Sequence, residues 1–525
     1  MQQHLNKTIG LVGLTFAGMT CMIGSGWLFG AYKAAKLAGP GALIAWLIGG
    51  AAILCIALTY IELGSMLPRI GGMVRYMDYT HGALAGFLTA WCNWLAIVTV
   101  IPVEAVASIQ YLSSWPWQWA HNLFNPGTSA LSTTGLLLAS LLVVFYFLIN
   151  YWSVRLFLRF MVLITVVKIF VPFFTVIALI YSGFHAANFT AYQHTFLPFG
   201  WAGIFTAVAT SGIVFAFHGF QSIINLAGEA KNPGRNVPLA IIFSIVVVLI
   251  LYLALQITFI GAVTPAQVMQ GWQHLVFSSP FAQLALALNL HVLVLSLYVD
   301  AFISPSGTAV TYMATTTRML YGMGRNGHMP KFMTYLDSRF QIPRNALWTN
   351  LLVSFVFLWL FRGWEHLVPI VSVTGVISYL TGPIAVVALR RLASDLPRPV
   401  RMPLLKVIAS LAFVVISLIL YWAHWPLTGQ VIFIVAFGLL FYFYYQTKAG
   451  WPNFFQQIKS SLWLILYLFA IALLSYLGST DFGGRNFIPY GWDMLAVVIV
   501  SLGFFMWGIQ SAWLTPLLQK ILQKT

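Results

Sequence analysis

The chain has 525 residues, of which 60% are hydrophobic, 16% aromatic and only 7% charged, with a formal net charge of +16. That is too little charge to coat a soluble globule of this size, which excludes a soluble enzyme or nucleic-acid-binding domain and leaves an all-α integral membrane protein. Apolar runs of about 18 to 25 residues match helices crossing about 30 Å of hydrocarbon, and the short alternating segments of a membrane β-barrel are not found.

Fourteen spans are predicted, near 9–37, 41–67, 83–112, 133–151, 157–182, 201–226, 237–262, 282–321, 345–361, 366–389, 404–422, 428–446, 461–478 and 494–514. With the amino terminus in the cytoplasm, Arg69, Arg75, Arg155, Arg159, Lys231 and Arg235 fall in inward loops, followed by the clusters Arg318 to Arg344 and Arg390 to Lys406. Lys33, Lys36, Arg362 and Arg485 face outward and Lys168 lies within the membrane, leaving 21 of the 26 Lys and Arg inside. The positive-inside rule therefore sets the orientation, with both termini cytoplasmic, and the basic excess reports topology and no nucleic-acid partner. No cleavable signal is expected, because a few weakly polar residues after Met1 lead into a span too long for a signal-peptide core.

Taken in chain order, the first span holds the most informative stretch, Ile23-Gly24-Ser25-Gly26-Trp27-Leu28-Phe29. Two glycines around a serine let the backbone unwind, and freed amides and carbonyls inside a bilayer need a partner or a polar cavity. Ala38-Gly39-Pro40-Gly41 turns the chain into the second span, which carries Glu62 near its inner end before Pro68 and Gly71-Gly72. The third contains Glu104, whose depth suits either a cavity-facing acid or a structurally hydrogen-bonded carboxyl. A loop from Trp115 to Pro126 supplies interfacial aromatics. Lys168 in the fifth span lies too deep for an ordinary end-of-helix anchor and is a candidate to gain and lose a proton, the alternative being snorkelling to the inner interface.

The sixth span carries a second break, Phe215-Ala216-Phe217-His218-Gly219-Phe220, and ends in an Asn232-Pro233-Gly234 turn. Two interrupted helices in corresponding places point to a transporter site. His218 is either a group titrating near neutral pH or a hydrogen-bonded packing residue. The long eighth span contains Asp300 and then Ser304-Pro305-Ser306-Gly307-Thr308, whose hydroxyls could hold a cation or the Lys168 ammonium, or pack as small residues between helices. From Pro403 onward four unbroken helices read as a scaffold or a contact surface, not as the site. Cys21, Cys55 and Cys92 have neither metal-site nor disulfide spacing, and no metal or cofactor is expected.

Four stretches together resemble the amino acid-polyamine-organocation family of permeases, most of all its bacterial aspartate-proton symporter-like branch. They are Ile23 to Gly26, Phe215 to Phe220, Glu229 to Pro238 and the Arg318 to Pro330 run. The resemblance implies a LeuT-type five-plus-five inverted repeat with discontinuous helices 1 and 6: residues 1–184, residues 185–400, and additional helices over 401–525. It implies that Ile23, Gly24, Ser25 and Gly26 receive a substrate's α-carboxylate, and that Phe215, Ala216, Phe217 and Gly219 line the site that faces its α-ammonium. It places Lys168 where proton-coupled members carry a lysine, beside a cation-like site at Ser304 and Thr308. Glu104, His218 and Asp300 are further proton-coupling candidates from their own positions, and His218 and Asp300 are not general features of the family. Trp27 stands where a smaller apolar residue is usual. The function expected is import of an amino acid, an acidic one by the branch, with protons across the inner membrane by alternating access. An exchanger on the same fold is the near alternative. A multi-pass membrane enzyme or a channel is the distant one, and the chain shows no cluster of acids or histidines at a membrane edge to support the former.

Overall fold

Hydrocarbon leaves the backbone only helices or closed barrels, because an amide or carbonyl without a partner there costs several kcal/mol. A computed structural model of the chain describes residues 9–68, 72–152, 154–338, 340 and 342–523, with the side chains of 72, 154–163 and 449 outside the description. Arg69, Gly71 and the side chains of Arg155 and Arg159 therefore lie outside the described residues. Twelve helices among the described residues are long and apolar enough to cross a membrane, or thirteen when the bent pair Gly200–Thr210 and Ile213–Asn225 is one span. The expected fourteen differ in the first two spans. Leu11–Met22 is a short apolar helix, and Gly26–Met66 runs through a 3-10 turn at Gly39–Gly41 between the helices Gly26–Ala38 and Ala42–Met66.

Two elements form the centre. Ala83–Leu112 and Trp364–Leu392 are buried along their apolar lengths, whereas Trp492–Ser511 and Leu427–Lys448 keep most of theirs on the outside of the bundle. Ala83–Leu112 packs against both His291–Arg325 and Trp364–Tyr379. Prolines sit inside several of these helices, and each removes an amide from the ladder. Pro305 deprives the Ala301 carbonyl of its partner, and Ser108 Oγ from Ala83–Leu112 donates to that carbonyl at 2.7 Å.

At the end predicted to face the cytoplasm, a buried acid organises the chain. Glu62 accepts from Arg390 Nε and Nη2 at 2.9 and 2.5 Å, lies 3.3 Å from Arg398, and accepts the Met402 amide at 3.1 Å. The last helices make contacts there. The Gly508 carbonyl meets His81 Nε2 at 2.8 Å, Ser460 Oγ donates to the His81 carbonyl at 2.6 Å, and the Trp513 amide donates to the Thr80 carbonyl at 2.9 Å. They thereby hold the short helix Gly72–Thr80 against the bundle. At the opposite end Lys33 forms an ion pair with Glu365, tying Gly26–Ala38 to Trp364–Tyr379.

Replacing Glu62 with Ala strands two guanidinium groups that are partly withdrawn from water. The expected loss is about 3 kcal/mol, the lower end for breaking a buried pair, seen as a lower melting temperature in detergent. An unchanged melting temperature would remove this cluster from the stability of the inner end.

Candidate functional site

A helix that stops in mid-membrane leaves its last four carbonyls without amide partners. Leu11–Met22 stops in this way, because Ile23 at φ −85° and ψ 82° leaves the helical region and Gly24 and Ser25 do not resume the helix until Gly26. Each orphaned carbonyl is met by a side chain from elsewhere. Lys168 Nζ donates to the Thr20 carbonyl at 2.9 Å, Tyr312 Oη to Cys21 at 3.3 Å, Tyr252 Oη to Met22 at 2.9 Å and Ser304 Oγ to Ile23 at 3.2 Å. Lys168 also donates to Thr308 Oγ1 at 2.6 Å, and Thr308 in turn donates to the Ser304 carbonyl at 3.3 Å. The lysine is fully buried. It is thus a cross-link between the fifth, first and eighth spans.

On the other side of the break the helix Gly26–Ala38 begins, presenting amides at its positive end. The Ser25 amide donates to Glu104 Oε2 at 2.8 Å, and Ser25 Oγ accepts from the Trp364 indole at 3.0 Å. Glu104 is fully buried, and its Oε1 has no hydrogen-bond partner among the described residues. Gly24 is what admits it, since a Cβ there would lie 2.5 Å from Oε1 and 3.1 Å from Thr308 Oγ1. The amides of Gly26 and Trp27, in the first turn of the new helix, have no acceptor within it. A carboxylate from the protein therefore occupies one amide of a site suited to carboxylates, and two neighbouring amides stay open.

The sixth span differs from expectation. Its helix first breaks at Ser211-Gly212, where Gly212 has φ +98°, one turn earlier than the stretch singled out in the sequence. A single turn Ile213–Ala216 follows, then Phe217 to Gly219, then Phe220–Asn225. The two broken spans touch. A Cβ on Gly26 would lie 3.1 Å from Ala216 Cβ, and one on Gly219 would strike the backbone of Cys21 and Met22. Phe215 meets the Trp364 ring edge-on at 6.2 Å.

Of the remaining candidates, His218 shares a 2.7 Å hydrogen bond through Nδ1 with Tyr379 Oη, while its Nε2 has no partner among the described residues. Asp300 is fully buried with neither carboxyl oxygen hydrogen-bonded among them, and it lies beside the Trp27 indole, whose Nε1 is likewise unpartnered. Tyr252, Tyr312 and Trp364 were not picked out from the sequence. Tyr312 follows Asp300, Ser304 and Thr308 at steps of four, a helical face that the sequence does contain. Tyr252 has no such signal.

Residues 9–437 match the family model described as amino acid permease. The chain is 55% identical over 519 residues to the glutamate/serine transporter AimA of Bacillus subtilis (strain 168), covering 98% of this chain and 96% of that one. It is 35% identical over 512 residues to an aspartate-proton symporter of the same organism, with 97% of each chain covered. A branched-chain amino acid permease, BcaP, also from that organism, is 26% identical over 464 residues, 86% of this chain and 96% of the relative.

The glycine contacts rank two substitutions. Gly219→Ala forces a methyl into helix backbone and is expected to lower the melting temperature by the equivalent of about 2 kcal/mol, whereas Gly26→Ala, facing a side chain at 3.1 Å, loses less than about 1 kcal/mol. Parallel thermal unfolding of both variants checks the order. Equal losses would contradict the close approach of Gly219 to the end of the first half-helix.

Proposed function

The chain belongs to the amino acid permease family, a multi-pass membrane transporter and not an enzyme, and on that premise we propose that it imports an amino acid together with protons by alternating access across the inner membrane. The substrate's α-carboxylate takes the positive helix end around Gly24, Ser25 and Gly26, where the Gly26 and Trp27 amides are open. Its α-ammonium lies against the carbonyls of Phe215, Ala216 and Phe217, with Gly219 keeping the two breaks in contact. The substrate itself is an acidic amino acid, with serine as a second candidate. Support comes from the names of the two relatives that cover nearly the whole chain, a glutamate/serine transporter and an aspartate-proton symporter. Lys168 and the open Nε2 edge of His218 are the groups in the site able to meet an acidic side chain.

One observation carries the proton assignment: Lys168 ties the Thr20 carbonyl to Thr308 Oγ1 with its ammonium. A charged lysine donates to both partners and holds the end of Leu11–Met22 in place. A neutral amine keeps donors but loses the charge that makes such bonds strong. The half-helix is then freer to swing and open the site to the cytoplasm. Glu104, which shares the cavity and holds the Ser25 amide, responds to the same change in charge. The two halves of the transporter are residues 1–184 and 185–400, with 401–525 as added helices and both termini cytoplasmic.

Proteoliposomes with a proton gradient and labelled amino acid test this assignment. Lys168→Ala is expected to lose gradient-driven accumulation, down to that of protein-free vesicles. Accumulation at the wild-type level would sink the role of Lys168. A requirement of the wild-type protein for preloaded internal amino acid would convert the symporter into an exchanger.

A further inference from the structure

Asp300, Ser304, Thr308 and Tyr312 recur every fourth residue along His291–Arg325 and so share one face of that helix. The lower three are accounted for by the break. Ser304 caps the Ile23 carbonyl, Thr308 receives Lys168, and Tyr312 caps the Cys21 carbonyl. Asp300 stands at the predicted outer end of the same face and caps nothing. Glu62, Asp78, Glu104 and Asp493 are also buried acids, and each accepts at least one hydrogen bond. Asp300 accepts none among the described residues.

A carboxyl kept away from water without a donor is costly unless it is neutral or paired on demand. The groups around Asp300 suit the second case. The Trp27 indole lies beside it, close enough to donate to it, and the Tyr111 hydroxyl is within its electrostatic reach. Lys168 from the fifth span is within electrostatic reach as well, Lys168 is in turn within reach of Glu104 and Cys21, and Tyr298 is within reach of Tyr111. Ser108 on the Ala301 carbonyl pins the backbone between Asp300 and Ser304, so the face keeps its register at the Pro305 kink. Asp300 thus stands about two turns along the same face from Thr308, which receives the amine that the transport cycle discharges.

Resting on the reading of Lys168 as the proton carrier, we infer that Asp300 is the outer loading group, which takes a proton from the outside and from which Lys168 is recharged. In the transfer the Asp300 carboxylic acid becomes a carboxylate and the Lys168 amine becomes an ammonium. The carboxylate is reprotonated from the outer solution.

The test uses the full-length protein in proteoliposomes with Asp300→Asn, which keeps shape and cannot carry the proton. Gradient-driven accumulation should be lost, while counterflow exchange of preloaded amino acid and thermal stabilisation by the same amino acid should persist. Wild-type accumulation by Asp300→Asn would overturn the inference, and so would loss of exchange or of ligand stabilisation, which would make Asp300 a binding or structural residue. Should Asp300→Asn not fold, Asp300→Glu decides: it must retain accumulation, and its loss overturns the inference. A wild-type protein that shows no gradient-driven accumulation would instead refute the Lys168 reading, which separates the two claims.

Discussion

The structure depends on four carbonyl oxygens at the end of a helix that stops inside hydrocarbon. Water cannot satisfy them there, so the chain must, and each receives its donor from a different place: Lys168, Tyr312, Tyr252 and Ser304. These donors come from the fifth, eighth and seventh spans, so capping one broken helix fixes the mutual position of three others. The requirement is local, but its solution is global. It also explains why a lysine is tolerated at that depth. An ammonium is an expensive guest in a membrane, and a carbonyl that lacks any other donor is one of the few hosts that repays it.

In the proposed function the same break supplies both halves of a zwitterion site. The carbonyl end of Leu11–Met22 and the amide end of Gly26–Ala38 face each other across Ile23 to Ser25, giving opposite partial charges a few residues apart. Small residues then let the sixth span approach, with Ala216 against Gly26 and Gly219 against the backbone of Cys21 and Met22. Glu104 completes the arrangement by placing a carboxylate on the Ser25 amide. Lys168 and Glu104 lie within electrostatic reach of each other beside this break, which is the physical basis of the proposed link between proton and substrate.

Much of this was legible in the sequence where a residue type is intolerable without a reason. Gly24 and Gly26 around Ser25 marked the first break, because glycine weakens a helix and hydrocarbon punishes the weakness. Lys168 announced itself by charge at depth. The Ser211-Gly212 break was missed since one glycine near a serine is common in membrane helices, and only its φ of +98° makes it a break. Tyr252 and Tyr312 were missed because a tyrosine in an apolar helix carries no sign of what its hydroxyl meets 230 or 291 residues away. The bonds of the last spans to Thr80 and His81 were not legible because each ends on a backbone group, which no side-chain pattern records. The first two spans were separable by eye at Gly39-Pro40-Gly41, yet in the folded chain a 3-10 turn joins the second half of the first to the second.

The central claim is that amino acid and proton move together. Proteoliposomes loaded with a pH-sensitive dye and clamped at zero membrane potential measure it directly, upon addition outside of the amino acid that gives the largest uptake. The account predicts acidification of the lumen that tracks uptake of the label and stops when the amino acid is omitted. Uptake of label with an unchanged internal pH would contradict it.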